Sequence, residues 1–213
     1  METKTLAIMF ADLAGYTART SQSSRTNFIQ LLDTYEQIVL PVFAEFNGKI
    51  VKKLGDGFLV SFESPTNAVL CGIKIQNELF IHNQNARKDE GLAVRIAVSM
   101  GEVHLRDDDV YGEAVNIASR LEKIAKPNDV YFTQAVYIAM NKAEIPSVLV
   151  GARTFKGVPL KVRVFKVFGE YSKILIRRRK RRQVMAGTAR VIIFIVLAIA
   201  AIIGLIAYLY FFY

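Results

Sequence analysis

The sequence contains a single cysteine and no acidic residue in its last forty or so positions. Cys71 has no second cysteine to pair with, which excludes an internal disulfide and is typical of a reducing compartment. All 19 Asp and Glu residues, and 20 of the 28 Lys and Arg residues, lie at or before Glu170. This part therefore has a formal charge of only +1, although the whole chain has +9. A nucleic-acid-binding domain needs a basic surface, so we expect no nucleic-acid partner.

The other basic residues form a short linker before a long apolar segment. Eight Lys and Arg residues lie between Lys173 and Arg190, six of them in the run 177–182. Residues 191–213 contain no charge and no proline. As a helix these residues would be about 34 Å long, which is enough for a hydrocarbon core of about 30 Å. We therefore predict a basic juxtamembrane linker over residues 171–190 and a transmembrane helix over 191–213.

The cations on one side of the apolar segment predict its orientation. All of its flanking Lys and Arg residues precede it, and cytoplasmic flanks of transmembrane helices are enriched in these residues. We therefore expect a single-pass, tail-anchored membrane protein with residues 1–190 in the cytoplasm. The basic run would also attract anionic lipid to the linker.

Hydrophobic periodicity predicts an α+β domain over residues 1–170. Helical spacing favours helices over 27–46, 66–85 and 112–125, with Pro41 expected to bend or split the first. Apolar runs favour strands over residues 5–10, 49–54, 58–62, 92–100 and 130–133, with two more around 157–159. The order β-α-β-β-α-β is typical of a ferredoxin-like, split βαβ fold. We therefore expect a mostly antiparallel sheet with the helices on one face.

Two aspartates are each predicted at the end of a strand. Asp12 follows the first strand, and Asp56 lies in the Gly-Asp-Gly turn of a hairpin that also carries Lys52. Two such carboxylates can hold the hard divalent cations that accompany nucleotide triphosphates. Each also has a simpler interpretation: Asp12 as a helix cap and Asp56 as an ordinary turn residue.

A pair of polar residues lies on one face of the third predicted helix. Asn116 and Arg120 are four residues apart and therefore neighbours on the helix surface. Arginine can hold the charge of a phosphoryl group, and asparagine can orient a sugar. The alternative interpretation is a solvated helix face, which Glu122 would support. Asp109 ends an acidic loop that has the same alternative interpretation.

Three segments together resemble the signatures of class III nucleotidyl cyclase catalytic domains. They are residues 10–17 (FADLAGYT), 52–58 (KKLGDGF) and 109–122 (DVYGEAVNIASRLE). The resemblance covers roughly residues 5–168. It implies a homodimer that builds two sites at its interface, each from both subunits. It also implies that Asp12 and Asp56 hold two divalent cations, Mg²⁺ or Mn²⁺.

The same resemblance implies the roles of the other site residues. Lys52 and Asp109 of the partner would contact the purine edge. Asn116 would orient the ribose, and Arg120 would stabilise the transition state at the α-phosphate. Phosphate contacts are implied for Lys161, or alternatively Arg163, and for the backbone amides of Leu13, Ala14, Gly15, Tyr16 and Thr17.

The implied reaction converts ATP to 3′,5′-cyclic AMP and pyrophosphate. Aspartate accepts from the exocyclic amine of adenine and lysine donates to a ring nitrogen, whereas guanine presents the reverse pattern. Lys52 and Asp109 therefore favour ATP over GTP. The alternatives are a guanylate cyclase and a non-catalytic, membrane-anchored nucleotide-binding module. A diguanylate cyclase is disfavoured, because its Gly-Gly-Asp/Glu-Glu-Phe signature is absent from the sequence.

Deleting residues 171–213 should release the protein from the membrane. The full-length chain should be recovered with the membrane fraction and require detergent, because its apolar segment is long enough to span a bilayer. The truncated chain should appear in the detergent-free supernatant after ultracentrifugation. Recovery of the full-length chain in that supernatant would contradict the transmembrane prediction.

Overall fold

The computed structural model describes residues 2–15, 25–87 and 90–168, with residues 25–28 described by their backbone alone. The chain divides into two compact units, Met1–Ser172 and Lys173–Tyr213, and every described residue belongs to the first. The described part has eight strands, which are β1 (Glu2–Leu13), β2 (Lys49–Leu54), β3 (Gly57–Phe62), β4 (Val94–Arg106), β5 (Asp109–Tyr111), β6 (Val130–Thr133), β7 (Ser147–Arg153) and β8 (Val162–Val167). Its four helices are α1 (Arg25–Glu45), α2 (Pro65–Asn85), α3 (Glu113–Ile124) and α4 (Gln134–Ala139).

The strands form one mixed sheet that is mostly antiparallel. Its order is β2-β3-β1-β4-β6-β8-β7, and β5 pairs with β4 off this path. Within the described residues, β4 and β6 are the parallel pair, and the other strand pairs are antiparallel. This confirms the predicted α+β class and the largely antiparallel sheet. The strands β1 and β4 lie at its centre.

The helices pack on both faces of the sheet, and our prediction of a single covered face is wrong. Neighbouring residues of a strand point to opposite faces. Ile96 of β4 faces α2, where a Cβ on Gly72 would lie 3.1 Å from its Cγ2. The next residue, Ala97, packs with Leu121 of α3. The apolar runs of β1 and β4 require this arrangement, because strands that are apolar on both sides need cover on both sides.

Helix α1 continues through Pro41 without interruption. Tyr35 and Phe43 of α1 pack on Phe58 of β3, with ring centroids 5.8 and 5.6 Å apart. Pro41 is exposed, so the backbone hydrogen bond that it cannot donate is lost beside solvent. The expectation that Pro41 would split the helix is therefore wrong, since packing on the sheet holds α1 together.

The strand β4 extends past its predicted end at residue 100 and turns back into β5, which we did not predict. Arg106 of β4 pairs with Asp109 of β5. Asp107 and Asp108 form the tight turn between them, with φ of 52° and 59°. Asp109 is consequently the first residue of a strand and not part of a solvated loop. The short helix α4 was also not predicted.

No helix in the described part of the chain has both the length and the apolar character needed to cross a membrane. The predicted linker, residues 171–190, and the predicted transmembrane helix, residues 191–213, lie outside the described residues.

Candidate active site

Strand pairing brings Asp12 and Asp56 to the same end of the sheet. Asp12 lies opposite Gly57 in the β1–β3 ladder, and Asp56 directly precedes Gly57 in the β2–β3 turn. A Cβ on Gly57 would lie 3.0 Å from both Oδ1 of Asp12 and the carbonyl oxygen of Ala11. Glycine therefore allows the two strands to approach beside the carboxylate. We refer to Asp12 and Asp56 as the carboxylate pair.

The electrostatics of the carboxylate pair fit a divalent cation. Burial, and then the negative charge of Asp12, raise the pKa of Asp56 to about 6. A cation bound to both would relieve this repulsion, and carboxylate oxygens are ligands that Mg²⁺ and Mn²⁺ prefer. The described residues contain no group of three or more His, Cys, Asp or Glu that could hold a metal ion. Mg²⁺ takes six oxygen ligands, so two carboxylates would leave coordination positions for water and for ligand oxygens.

Arg95, which the sequence analysis did not single out, neutralises Asp12. The two residues lie opposite each other in the β1–β4 ladder, and Nη2 of Arg95 donates to Oδ2 of Asp12. Its Nε lies 2.8 Å from Oε1 of Glu122 on α3. Glu122 is only 9% exposed, so it does not belong to a solvated helix face. The guanidinium thus lies between two carboxylates.

The contact between Arg95 and Glu122 is electrostatic. Among the described residues, neither Nε of Arg95 nor Oε1 of Glu122 has a hydrogen-bond partner. Burial, and then the charge of Asp12, raise the pKa of Glu122 to about 7, while Arg95 acts in the opposite direction. The sequence signal for Arg95 was a single charge in the otherwise buried run 94–98. A charge in such a strand needs a partner.

Lys52 and Asp109, the Lys–Asp pair, are in direct contact. Nζ of Lys52 lies 2.5 Å from Oδ2 of Asp109, and Oδ1 of Asp109 accepts the backbone N–H of Val110 at 2.8 Å. The hydrogen bond from Lys52 is the main cause that lowers the pKa of Asp109. Asp109 also lines a cavity of about 690 Å³, whose apolar wall includes Leu6, Val51, Leu105 and Val110. The pair therefore offers a donor and an acceptor beside apolar surface.

Asn116 and Arg120 both lie on α3. Asn116 is exposed and Arg120 is half-buried, and Arg120 points toward the β7–β8 connection, where a Cβ on Gly157 would lie 3.9 Å from its Nη2. Within the described ranges, neither side chain makes a hydrogen bond or ion pair with Asp12 or Asp56. The structure of one chain thus shows no direct bond between these two sets of predicted site residues.

Comparison with known families identifies the domain. A family model described as the adenylate and guanylate cyclase catalytic domain matches residues 1–169. The chain belongs to this family. The resemblance found in the three sequence segments is therefore confirmed, and the chain carries a nucleotidyl cyclase catalytic domain.

Individual relatives match this cyclase domain over most of its length. The chain is 38% identical over 152 residues to the serine/threonine-protein kinase pkn2 of Myxococcus xanthus, covering 71% of this chain and 18% of that protein. It is 29% identical over 137 residues to an adenylate cyclase of Streptomyces coelicolor, covering 64% of this chain and 34% of that protein. The chain thus spans between 18% and 34% of the length of these curated relatives.

A solved cyclase structure has the same fold. The adenylate/guanylate cyclase/hydrolase from Silicibacter pomeroyi superimposes with a TM-score of 0.70 at 29% sequence identity. The match covers 78% of this chain and 98% of that one.

The loop after β1 can supply fewer phosphate-binding amides than predicted. Leu13 ends β1, and Gly15 follows with a φ of 80°. Between them, the N–H of Ala14 donates to the carbonyl oxygen of Ala93 at 2.8 Å. We predicted that the amide of Ala14 would contact phosphate, and this is corrected, because that amide already donates to the carbonyl oxygen of Ala93. Tyr16 and Thr17 lie outside the described residues.

The two cations predicted to contact phosphate lie near the last hairpin of the cyclase domain. Lys161 is exposed in the connection between β7 and β8, and Arg163 is exposed on β8. Neither makes an ion pair within the part of the chain that the structure describes. Both are therefore accessible to a ligand, and the choice between them stays a prediction.

Replacing Asp56 with Asn should stabilise the metal-free cyclase. The folded-state pKa of about 6 lies above the ordinary value of 3.8, so the charged carboxylate lowers stability above pH 6. That effect declines as the pH falls from about 6 to 3.8 and is absent at lower pH, where the carboxyl is protonated in both states. After allowance for its partial exposure, we expect a gain of about 1 kcal/mol in unfolding free energy at pH 8. Denaturant unfolding in the presence of a chelator measures it.

Asp33→Asn is the matched control, because Asp33 is exposed on α1. Its unfolding free energy at pH 8 should be close to that of the wild type. Loss of stability in Asp56→Asn at pH 8 would contradict the raised pKa of Asp56 in the folded protein.

Proposed function

We propose that this chain is an adenylate cyclase that converts ATP to 3′,5′-cyclic AMP and pyrophosphate. The observation that carries the choice of substrate is the Lys–Asp pair, whose charged atoms lie 2.5 Å apart, with Asp109 lining the cavity described above. The adenine edge presents an amine that can donate to Asp109 and a ring nitrogen that can accept from Lys52. Guanine presents a carbonyl oxygen and an N–H group in these places. It would leave buried polar groups without partners.

The other site residues supply what the reaction requires. The ribose 3′-oxygen attacks the α-phosphorus, the bond to the oxygen that bridges the α- and β-phosphates breaks, and pyrophosphate leaves. The proton of the 3′-hydroxyl passes to solvent. The carboxylate pair would hold Mg²⁺ or Mn²⁺, which lowers the pKa of the hydroxyl and neutralises phosphate charge when bound. Arg120 would stabilise the charge that develops on the α-phosphate, and Asn116 would orient the ribose.

We propose that a homodimer completes the site. Within the described residues, neither Asn116 nor Arg120 makes a hydrogen bond or ion pair with the carboxylate pair. Helix α3 turns its buried side toward Asp12 through Glu122, while Asn116 on its other side is exposed. A second copy related by two-fold symmetry can present that exposed side, and its Lys–Asp pair, to the carboxylate pair of the first. Two equivalent pockets would result.

We also propose that residues 191–213 anchor this cyclase in a membrane, with the catalytic domain in the cytoplasm. The support is the charge-free apolar segment and the basic run 177–182 that precedes it. The domain before Glu170 is nearly neutral. We therefore propose that the basic run binds anionic lipid at the membrane surface and does not bind nucleic acid.

Exchanging the Lys–Asp pair should erode the preference for ATP. The wild-type chain should make cyclic AMP from ATP faster than cyclic GMP from GTP, with either Mg²⁺ or Mn²⁺. The double variant Lys52→Glu with Asp109→Cys should lower the ATP:GTP ratio of kcat/KM at least about tenfold, since a hydrogen-bonding site discriminates strongly. Chromatographic quantification of both cyclic nucleotides measures the ratio.

Lys53→Ala is the control for this exchange, because Lys53 pairs with Glu36 on α1 and not with Asp109. Its ATP:GTP ratio should equal that of the wild type. A wild-type preference for GTP would favour a guanylate cyclase, and the absence of both products would favour the non-catalytic module.

A mixture of two inactive variants should recover activity if two subunits share each pocket. Homodimers of Asp12→Ala and of Arg120→Ala should each be almost inactive, because both of their pockets carry a lesion. In a mixed dimer, one pocket carries both lesions and the other carries none. Random mixing should therefore restore roughly a quarter of wild-type activity if the pockets act independently. Cyclic AMP production by co-expressed chains measures the recovery.

The control is a mixture of Asp12→Ala with Asp56→Ala, which damage the same half of the pocket and should show no recovery. Absence of recovery with Arg120→Ala, in samples shown to contain mixed dimers, would reject the shared pocket.

A further inference from the structure

Arg95 lies between two carboxylates that belong to different elements. Its Nη2 donates to Asp12 on β1, and its Nε lies 2.8 Å from Oε1 of Glu122 on α3. The side chains of Arg95, Asp12 and Glu122 are 29%, 23% and 12% exposed. Their charges are thus partly shielded from water, where the choice of partner matters more than at an open surface.

Cation binding to Asp12 conflicts with the position of Arg95. The carboxylate that accepts from Nη2 is also a member of the carboxylate pair. A divalent cation there would repel the guanidinium and take a carboxylate oxygen from it. The backbone of Arg95 is fixed, because it lies opposite Asp12 in the β1–β4 ladder. The guanidinium therefore needs another counter-ion within reach of its own side chain.

We propose that Glu122 is a positioning residue that retains Arg95 when Asp12 exchanges the guanidinium for a divalent cation. This role rests on the proposed function, in which the carboxylate pair binds the divalent cation. Its helix is firmly packed, since Ala118 and Leu121 are fully buried. Oε1 of Glu122 has no hydrogen bond within the described residues. It can take more of the guanidinium without giving up another partner.

Asp56 cannot serve as this second counter-ion. Its charge also acts on Arg95, but Asp56 belongs to the carboxylate pair and would be neutralised by the same cation. Glu122 belongs to a different element, α3, and its Oε1 lies 2.8 Å from Nε of Arg95. The effect of Glu122 on cation binding should consequently depend on the presence of Arg95.

Direct titration of the full-length chain with Mn²⁺ tests this role. Free Mn²⁺ is measured by electron paramagnetic resonance at pH 8, without nucleotide. Glu122→Gln should weaken Mn²⁺ binding about fivefold, a size typical of coupled charges, because Arg95 then has only the carboxylate pair to bind. Arg95→Gln should bind Mn²⁺ at least as well as the wild type. In the Arg95→Gln background, Glu122→Gln should change the affinity less than about twofold.

Two further variants control for charge and folding. Glu113→Gln removes a negative charge from an exposed position on the same helix and should leave Mn²⁺ affinity unchanged. Glu122→Asp keeps the charge on a shorter side chain and should retain part of the affinity that Glu122→Gln loses. If Glu122→Gln does not fold, as judged by circular dichroism, Glu122→Asp is compared in both backgrounds instead.

The possible results separate Glu122 from the proposed function. The positioning role is supported if Glu122→Gln lowers Mn²⁺ affinity in the chain that retains Arg95 but not in the chain that carries Arg95→Gln. An unchanged affinity in Glu122→Gln, or an equal loss with and without Arg95, overturns it and leaves the carboxylate pair as the cation site. If Asp12→Ala and Asp56→Ala bind Mn²⁺ as well as the wild type, the carboxylate pair is not the cation site. That result overturns both the cation assignment and the role of Glu122.

Discussion

Repulsion between Asp12 and Asp56 is the constraint on which the site depends. Sheet pairing places the two carboxylates on either side of Gly57, and partial burial raises the pKa of Asp56 to about 6. Positive charge beside such a pair favours the state in which both carboxylates are ionised. In the metal-free protein Arg95 supplies that charge to Asp12. With a cation bound, the guanidinium must find another partner. The carboxylate pair therefore explains both a cation site and an arginine beside it.

Helix α3 connects the two functional halves of the chain. Its buried side carries Glu122, which reaches the carboxylate pair through Arg95. Its other side carries Asn116 and Arg120, which the proposed dimer would present to the partner's pocket. Around the helix axis, Asn116 lies about 120° and Arg120 about 160° from Glu122. This arrangement is possible because α3 lies on the opposite face of the sheet from α2. Helices on one face only could not have formed it.

Most of the secondary structure could be predicted because it depends on local patterns. The hairpin around Asp56 and the helices α2 and α3 agree with prediction to within a residue or two. The predictions that failed concern segments whose conformation is stabilised by contacts with elements distant in the sequence. Strand β5 has only three residues, Asp109–Tyr111, and exists because β4 extends to pair with it. Helix α1 is not split at Pro41 because β3 packs against it.

The sequence by itself determined which residues are candidates for the site and where each lies along its own element. Asp12 ends an apolar strand, Asp56 lies in a tight turn, and Asn116 and Arg120 share a helix face, since each follows from periodicity over a few residues. Only the tertiary structure decided which charges meet. Asp12 and Arg95 are 83 residues apart in the chain, and Lys52 and Asp109 are 57 apart. Contacts over such separations depend on strand order and on the covered face, which local periodicity does not determine.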